Sequence, residues 1–565
     1  MLAVALLRLG SMKSARLPGA WRGTLSAPAL LITVLIINGV FFRFAHLGYK
    51  AYWMDEVFTS IYLSGHTFVN AFREIQRGEI VSLDFLLSFQ FPTPGKTVFD
   101  MVASLGKESA MHPPLYYALA HFWNVWFGNS VTVTRSFSAI ASLFAFPCIY
   151  WLCRELFGNP TVGWMAIAIT AVSPLHLVYA QEARQYMHWI VITTVVNALL
   201  LRAIRLSGKP GSQVRWLMYS LGLSLALYIH IFSVLLMASH FIYCFILYHP
   251  QWLRLRRNDV IFFRGQAQMF SAYSVASVLG VVLFLPWIWV IYNFPPDPTL
   301  TAWMNEKTST IEVLSRWAGL VSRSFVDFGI SPASPLVIKL ATLPIIFLTL
   351  LLISYSLIYL CQNTSPRVWL FLILPIAVTG TAYFLPDLLF TKRSGTTRYI
   401  LPALVGIQLS VSYLLATKLQ PQLREVRQNF WRAVTGIILT LGLVSYLAYF
   451  PSHVWWNKGP VENGYNVEIA NLINAADHPL LISDGNMLHI FTLSHLLQPK
   501  VDFLLFKRMQ ENSVQNQPLN LPSVAGRSLF LLDASDKLRE DFQTEYNLEI
   551  QGIMPSFEKL VEKQR

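Results

Sequence analysis

Residues 28–56 read PALLITVLIINGVFFRFAHLGYKAYWMDE, and the fold turns on reading the two ends of this stretch together. Pro28 to Leu47 is apolar and long enough to cross a bilayer, which takes about 20 residues of helix. It delivers Trp53-Met54-Asp55-Glu56, a carboxylate pair that is costly beside a membrane span unless each acid has a partner or a task. The polar break that follows runs from Tyr49 to Phe127 and closes with His112-Pro113-Pro114-Leu115-Tyr116-Tyr117. Two consecutive prolines cannot sit inside a helix, so this second motif is a rigid lead into the aromatic helix after it.

The chain has 565 residues, 54% of them hydrophobic and 13% charged. A soluble protein would carry about twice that charged fraction. The class is therefore a polytopic α-helical membrane protein. A net charge of +13 suggests nucleic acid at first, but most Lys and Arg lie in short loops between apolar segments, where they encode topology. Nucleic acid is not expected as a partner. Cys148, Cys153, Cys244 and Cys361 lie in or at the edge of apolar segments, so neither a disulfide framework nor a thiolate metal site is expected. Met1 to Leu9 is too short for a cleavable signal, and Pro28 to Leu47 lacks a small-residue cleavage pattern.

Residues 1–27, with Arg8, Lys13, Arg16 and Arg22, read as a cytoplasmic N-terminal segment. After the first span, apolar runs follow at about 134–153, 160–179, 186–203, 216–230, 231–248, 270–292, 335–360, 368–386, 398–416 and 433–450, which makes eleven. The run 216–248 is too long for one span, and His230 near its middle marks a hairpin. The internal loops are then those at Arg154, at Arg202, Arg205, Lys209 and Arg215, at Arg254, Arg256, Arg257 and Arg264, at Arg367, and at Lys418, Arg424, Arg427 and Arg432. Their basic character supports the orientation. Residues 28–450 form the membrane module. Its large first loop, 48–133, and the tail, 451–565, fall outside the cytoplasm.

In that loop, Asp55 to Gln76 reads as one amphipathic helix lying on the membrane, with Val57, Phe58, Ile61, Phe68 and Phe72 facing lipid or core. Residues 77–106 read as a mobile connector, and Pro113 to Phe127 as a second interfacial helix. In the tail, Pro479 to Ser483, Val501 to Phe506 and Ser528 to Asp533 read as strands. Asn466 to Ala476, Asn486 to Leu497 and Asp536 to Tyr546 read as helices. The alternation argues a small α/β domain with a mostly parallel sheet. Asp484-Gly485-Asn486 is a turn, with no glycine-rich phosphate loop.

The unusual polar residues fall on one membrane face: Asp55, Glu56, His112, Gln181-Glu182-Ala183-Arg184-Gln185-Tyr186, His230, Lys392, Arg393, Arg398 and Tyr399. Acids and bases converging at one depth make a candidate site. Each has a plainer role open to it. Asp55 could cap its helix, and Glu56 could be solvated or paired. His112 could serve its turn, Glu182 and Arg184 could pair with each other, and His230 could serve its hairpin. Lys392 and Arg393 could face anionic headgroups, and Arg398 could tie two loops by pairing with an acid such as Glu182.

The acidic pair after the first span, His112 to Tyr117, Gln181 to Tyr186 and Arg398-Tyr399-Ile400-Leu401-Pro402 together resemble the GT-C superfamily of membrane glycosyltransferases. The resemblance is to the protein O-mannosyltransferase-like branch, which includes the lipid A aminoarabinose transferase. It covers roughly residues 28–416; no motif covers the tail. It implies transfer of a sugar from a polyprenyl-phosphate-linked donor to a lipid, glycan or protein acceptor, outside a cell (inner or plasma) membrane. By resemblance, Asp55 holds the position of the catalytic base, with Glu56 and Glu182 as further acidic candidates. Arg184, Arg398, Lys392, Arg393 and His112 are candidates for the donor phosphate. Tyr116, Tyr117, Tyr186, His230 and Tyr399 are candidates for the substrate. One base and direct displacement imply inversion. No cofactor is implied with certainty; the family leaves a divalent metal, magnesium or manganese, open. The rival reading is a lipid-linked saccharide flippase, which would instead place charge near the bilayer midplane.

Overall fold

The computed structural model describes residues 27–249, 266–295, 298–331, 334–420, 425–459, 463–507, 526–544, 546 and 548–562. The N-terminal segment up to residue 26, the basic loop at Arg254, Arg256, Arg257 and Arg264, and Arg424 lie outside the described residues.

The chain opens on α1 (Ala27–Phe44). The first loop carries α2 (Met54–Leu63), α3 (Phe68–Ile75), the short strand β1 (Ile80–Ser82), α4 (Leu83–Ser88), α5 (Val98–Ser109) and α6 (Leu115–Phe127). The bundle continues with α7 (Val131–Phe157), α8 (Pro160–Val172), α9 (Pro174–Ala180), α10 (Tyr186–Arg205), α11 (Ser212–Ile229), α12 (Ser233–Tyr248) and α13 (Gln266–Asn293). After a second irregular stretch holding α14 (Thr310–Ser322) come α15 (Leu336–Asn363), α16 (Pro366–Phe390), α17 (Leu401–Lys418) and α18 (Glu425–Tyr449).

Every apolar run of the sequence is helical, and the fold is that of an α-helical polytopic membrane protein. Among the described residues, seven helices are long and apolar enough to cross a membrane, or eight if α8 and α9, bent by 59°, form one broken span. That is fewer than the eleven runs: α1 and α12 are shorter, and α11 opens on the polar Ser212-Gln213-Val214-Arg215. The bend falls at Ser173-Pro174, where proline brings no N–H into the first turn of α9.

The bundle has two chemically distinct ends. Helix α7 starts with Arg135 among the acids of the first loop and ends near Arg154 and Glu155. At that second end Arg202 and Arg205, from the last turn of α10, approach Glu155 at 3.9 and 2.8 Å. A 27-residue helix is about 40 Å long, so the ends lie a membrane thickness apart.

The tail folds as α19 (Asn466–Ala475), β2 (Pro479–Ser483), α20 (Met487–Ser494), β3 (Asp502–Leu505), β4 (Ser528–Leu532), α21 (Asp536–Thr544), β5 (Leu548–Met554) and β6 (Phe557–Glu562). The sheet order is β1-β3-β2-β4-β6-β5. Strand β2 runs parallel to β3 and β4, while β1–β3, β4–β6 and β5–β6 are antiparallel. The sheet is therefore mixed, not mostly parallel, because the terminal hairpin and a strand from the first loop add to both edges.

That strand corrects two further expectations. Residues 77–106 are not a mobile connector: they supply β1, whose Val81 pairs with Phe503, and the helices α4 and α5. Asp55 to Gln76 is not one helix lying on lipid. Gly65 at φ +81° and Thr67, which accepts from Asn70 N–H as the cap of α3, break it in two. Val57 and Ile61 of α2 are fully buried in one core with Phe491, Leu481 and Phe503 of the tail. Phe72 stacks on Phe491 with ring centroids 6.0 Å apart. The first loop and the tail share a hydrophobic core, and α2 is held between that core and the bundle.

Candidate active site

Glu56 is the hub that assembles the site. It is fully buried, which alone would raise its pKa. The charges of Arg135 and Lys458, the Arg135 hydrogen bonds and the Ala183 N–H outweigh burial and hold the carboxyl down at about 2. Arg135 donates from Nε to Glu56 Oε1 (2.8 Å) and from Nη2 to Oε2 (2.6 Å). Its remaining donors reach the Leu47, Lys50 and Ala51 carbonyls at 2.7, 2.9 and 3.0 Å, closing the turn after α1. The Ala183 N–H donates to Glu56 Oε1 at 2.9 Å. One carboxylate thus ties α2, α7 and the Gln181-to-Tyr186 loop together. Gln181 adds a second tie, donating to the Phe42 and Ala45 carbonyls left open at the end of α1.

Asp55, the neighbour of that hub, points the other way. The cap of α2 is Trp53, and the Asp55 carboxylate turns from the helix end to pair through Oδ2 with Arg398. Tyr186 donates to the same oxygen at 3.4 Å. Arg184 donates from Nη1 to the Asp55 carbonyl (3.1 Å), to Thr59 Oγ1 (3.2 Å) and to the Tyr117 hydroxyl (3.2 Å). Its Nη2 lies 3.3 Å from His112 Nε2. A guanidinium can only donate, so Nε2 accepts, and the ring proton sits on Nδ1, 2.7 Å from Ser109 Oγ. Burial, with the charges of Arg184 and Arg398, pushes His112 down to about 3, so it is neutral.

Glu182 is buried and pairs with neither Arg184 nor Arg398. Asn457 donates to its Oε1, and Lys458 Nζ lies 3.8 Å away. Burial pushes its pKa up to about 7, opposed by Lys458 and reinforced by Glu56 and Asp55. Lys458 is also 3.4 Å from Glu56 Oε2.

Other residues named from the sequence lie at the margins. Tyr116 packs edge-on to Tyr117 and His188. His230 stacks on Trp189 at 4.1 Å and accepts from the Phe232 N–H at 3.2 Å, as a hairpin residue would. Tyr399 packs on Phe232 and Tyr383. Lys392 and Arg393 turn outward to Asn305 and Glu306, each at 2.9 Å. Sequence reasoning missed Arg135, Asn457 and Lys458. Arg135 is a lone basic residue at the head of an apolar run, and Trp455-Trp456-Asn457-Lys458 belongs to no motif.

Four basic groups, Arg135, Arg184, Arg398 and Lys458, thus face three acids, Asp55, Glu56 and Glu182, and burial pushes both Lys458 and Glu182 toward their neutral forms, in which three arginines still face two carboxylates. The excess is positive, and a buried excess charge calls for a counter-ion. Arg184 Nε and Arg398 Nε are buried without a hydrogen-bond partner among the described residues. The arrangement can seat an anion beside a carboxylate. A divalent metal does not fit it. Each carboxylate is already held by a protein cation, and among the described residues no three His, Cys, Asp or Glu side chains converge.

No family model matches the chain, and no curated protein sequence does. Solved structures do resemble it. The apo crystal structure of ArnT from Cupriavidus metallidurans matches with a TM-score of 0.50 at 12% identity, over 94% of this chain and 97% of that one. ArnT bound to undecaprenyl phosphate gives 0.49 at 12% identity, over 95% and 98%. The Archaeoglobus fulgidus oligosaccharyltransferase with zinc and sulfate gives 0.46 at 10% identity, over 83% and 62%. The apo ArnT likeness extends over the tail, which no sequence motif covered, and the chain shares the fold of that structure.

Proposed function

We propose that this chain is a glycosyltransferase that moves a sugar from a polyprenyl-phosphate-linked donor to a hydroxyl of a lipid, glycan or protein acceptor. The observation that carries the reading is the Asp55–Arg398 pair beside an excess of buried positive charge. In this reading the donor phosphate lies against Arg184 and Arg398, with neutral His112 holding the Arg184 fork. Phosphate competes with Asp55 for Arg398, because a guanidinium can hold two phosphate oxygens at once, whereas Asp55 meets it through Oδ2 and Nη1 alone. Arg398 turns to the phosphate and Asp55 is released.

The acceptor hydroxyl then attacks the anomeric carbon from the face opposite the phosphate. Its proton passes to the Asp55 carboxylate, the bond from the anomeric carbon to the phosphate oxygen breaks, and the polyprenyl phosphate leaves with the electron pair. The arginines stabilise the charge that grows on the leaving oxygen. Displacement in one step inverts the anomeric centre. No step passes through a metal.

The basic end of the bundle, at Arg154, Arg202 and Arg205, belongs on the cytoplasmic side in this reading. The site and the α/β domain of residues 451–565 then lie outside. The test is mass spectrometry of glycans and glycolipids from cells with and without the gene. A sugar present only with the gene supports the reading; identical profiles, with no transfer by the purified protein from any polyprenyl-phosphate sugar, oppose it.

A further inference from the structure

We propose that Lys458 is a built-in cation that stands where a divalent metal would bridge Glu56 and Glu182, so that the site is completed by the linker to the C-terminal domain and needs no metal. The inference rests on the transferase reading and goes beyond it, since neither the motifs nor the fold names any residue of the tail.

The geometry is specific. Lys458 Nζ lies 3.4 Å from Glu56 Oε2 and 3.8 Å from Glu182 Oε1. Lys458 is fully buried, and its ammonium lies 5.4 Å from the centre of the Trp53 ring. An ammonium taken out of water at this depth persists only where carboxylates compensate it. The two acids come from separate segments, α2 and the Glu182 loop, so one point charge holds both in place. A divalent ion bridging them would do the same, and the two cations cannot share the space.

The linker is built to deliver the lysine. Residues Trp456–Lys458 form a single 3-10 turn after α18, closed by Gly459 at φ +58°. Asn463 donates to the Lys458 carbonyl at 2.7 Å. Upstream, the Trp455 and Trp456 indoles donate to the buried Asp327 carboxylate at 3.1 and 2.5 Å. Arg323 stacks over Trp456 at 3.8 Å. Asn457, between these anchors, donates to Glu182 itself. One carboxylate oxygen, Glu182 Oε2, is buried and has no partner among the described residues. Lys458 and Asn457 therefore hold Oε1 of Glu182 and leave Oε2 without a protein partner among the described residues. Lys458 is a positioning residue.

The experiment is manganese binding to the purified full chain, read by electron paramagnetic resonance, with no dependence on turnover. Wild type should bind no Mn²⁺ at millimolar concentration. Lys458→Ala should gain a site for one Mn²⁺, and Glu182→Gln in that background should remove it. A Mn²⁺ site in wild type that Glu182→Gln abolishes would overturn the inference, and so would a folded Lys458→Ala without a new site. Should Lys458→Ala fail to fold, Lys458→Met, which fills the same space without the charge, takes its place in the measurement, and a folded Lys458→Met without a new site overturns the inference equally. A protein that passes this test yet transfers no sugar fails the transferase reading and not this one.

Discussion

Arg398 reaches across 343 residues of chain to the Asp55 carboxylate, and this pair is the part-exposed edge of an otherwise buried ionic cluster. The two side chains are 21% and 17% exposed, whereas those of Arg135, Glu56 and Lys458 are at 0%. The gradient separates roles that the sequence cannot separate. The adjacent acids Asp55 and Glu56 leave one helical turn in different directions and meet different partners, Arg398 and Arg135. Glu56 builds the architecture, and Asp55 meets whatever enters. The same gradient leaves the Asp55–Arg398 pair within reach of an entering ligand.

Arg398→Ala should lose most binding of a polyprenyl phosphate, and Arg398→Lys should keep part of it. Arg offers two donors to the phosphate where Lys offers a point charge. Both variants should melt near the wild-type temperature in detergent. If Arg398→Ala melts lower but binds polyprenyl phosphate as tightly as wild type, the pair is structural and the phosphate role is wrong.

Glu56→Gln should destabilise the fold by about 3–5 kcal/mol, because it leaves Arg135 and Lys458 buried with too few counter-charges. The same residue sets an acid limit. Its carboxyl is held at about 2 in the folded protein against an ordinary value of 4.5, so its contribution is fully present above 4.5. That contribution is lost as pH falls from 4.5 through about 2. Melting temperatures in detergent at pH 6 and pH 3 check this: wild type should lose more on acidification than Glu56→Gln. Equal losses would remove Glu56 from the explanation.

Much of this fold was legible because hydropathy marks membrane helices directly. Each apolar run, from Pro28 onward, is helical over most of its length; in the tail the strand expected at Pro479 to Ser483 is there, and the helix expected over Asn466 to Ala476 runs Asn466–Ala475. The errors have a common cause in long-range pairing. Strand β1 is three residues long and exists only because Phe503 lies beside Val81. The β5–β6 hairpin alternates Leu548 and Ile550 with Glu549 and Gln551, but its place in the sheet comes from the pairing of β6 with β4, which the run from Leu548 to Glu562 does not announce. Val57 and Ile61 read as facing lipid or core, because periodicity reports that a face is buried without reporting against what; the core of the tail is what they meet. At the site, the motif residues Asp55, His112, Arg184 and Arg398 converge, but Lys458 is one lysine in an unremarked tail. Only the closure of residue 458 onto residue 56 gives it meaning.

Ile61→Ala tests whether the shared core positions the site. Ile61 is fully buried in the core common to α2 and the tail, and truncation should cost about 2–5 kcal/mol. Turnover should fall as well, because α2 carries Asp55. Melting temperature and transfer rate measured on one preparation check it. Wild-type values of both would mean that the domain contact is incidental.

The most direct test of the account is the turnover of purified Asp55→Asn, measured beside its affinity for a polyprenyl phosphate. Asn keeps the shape of the side chain, cannot take a proton from the acceptor, and releases Arg398. Turnover should fall by on the order of 10²–10⁴-fold while polyprenyl phosphate binds as tightly as to wild type or more so. Near wild-type turnover of a folded Asp55→Asn would contradict the role of Asp55, and with it the proposed chemistry of the site.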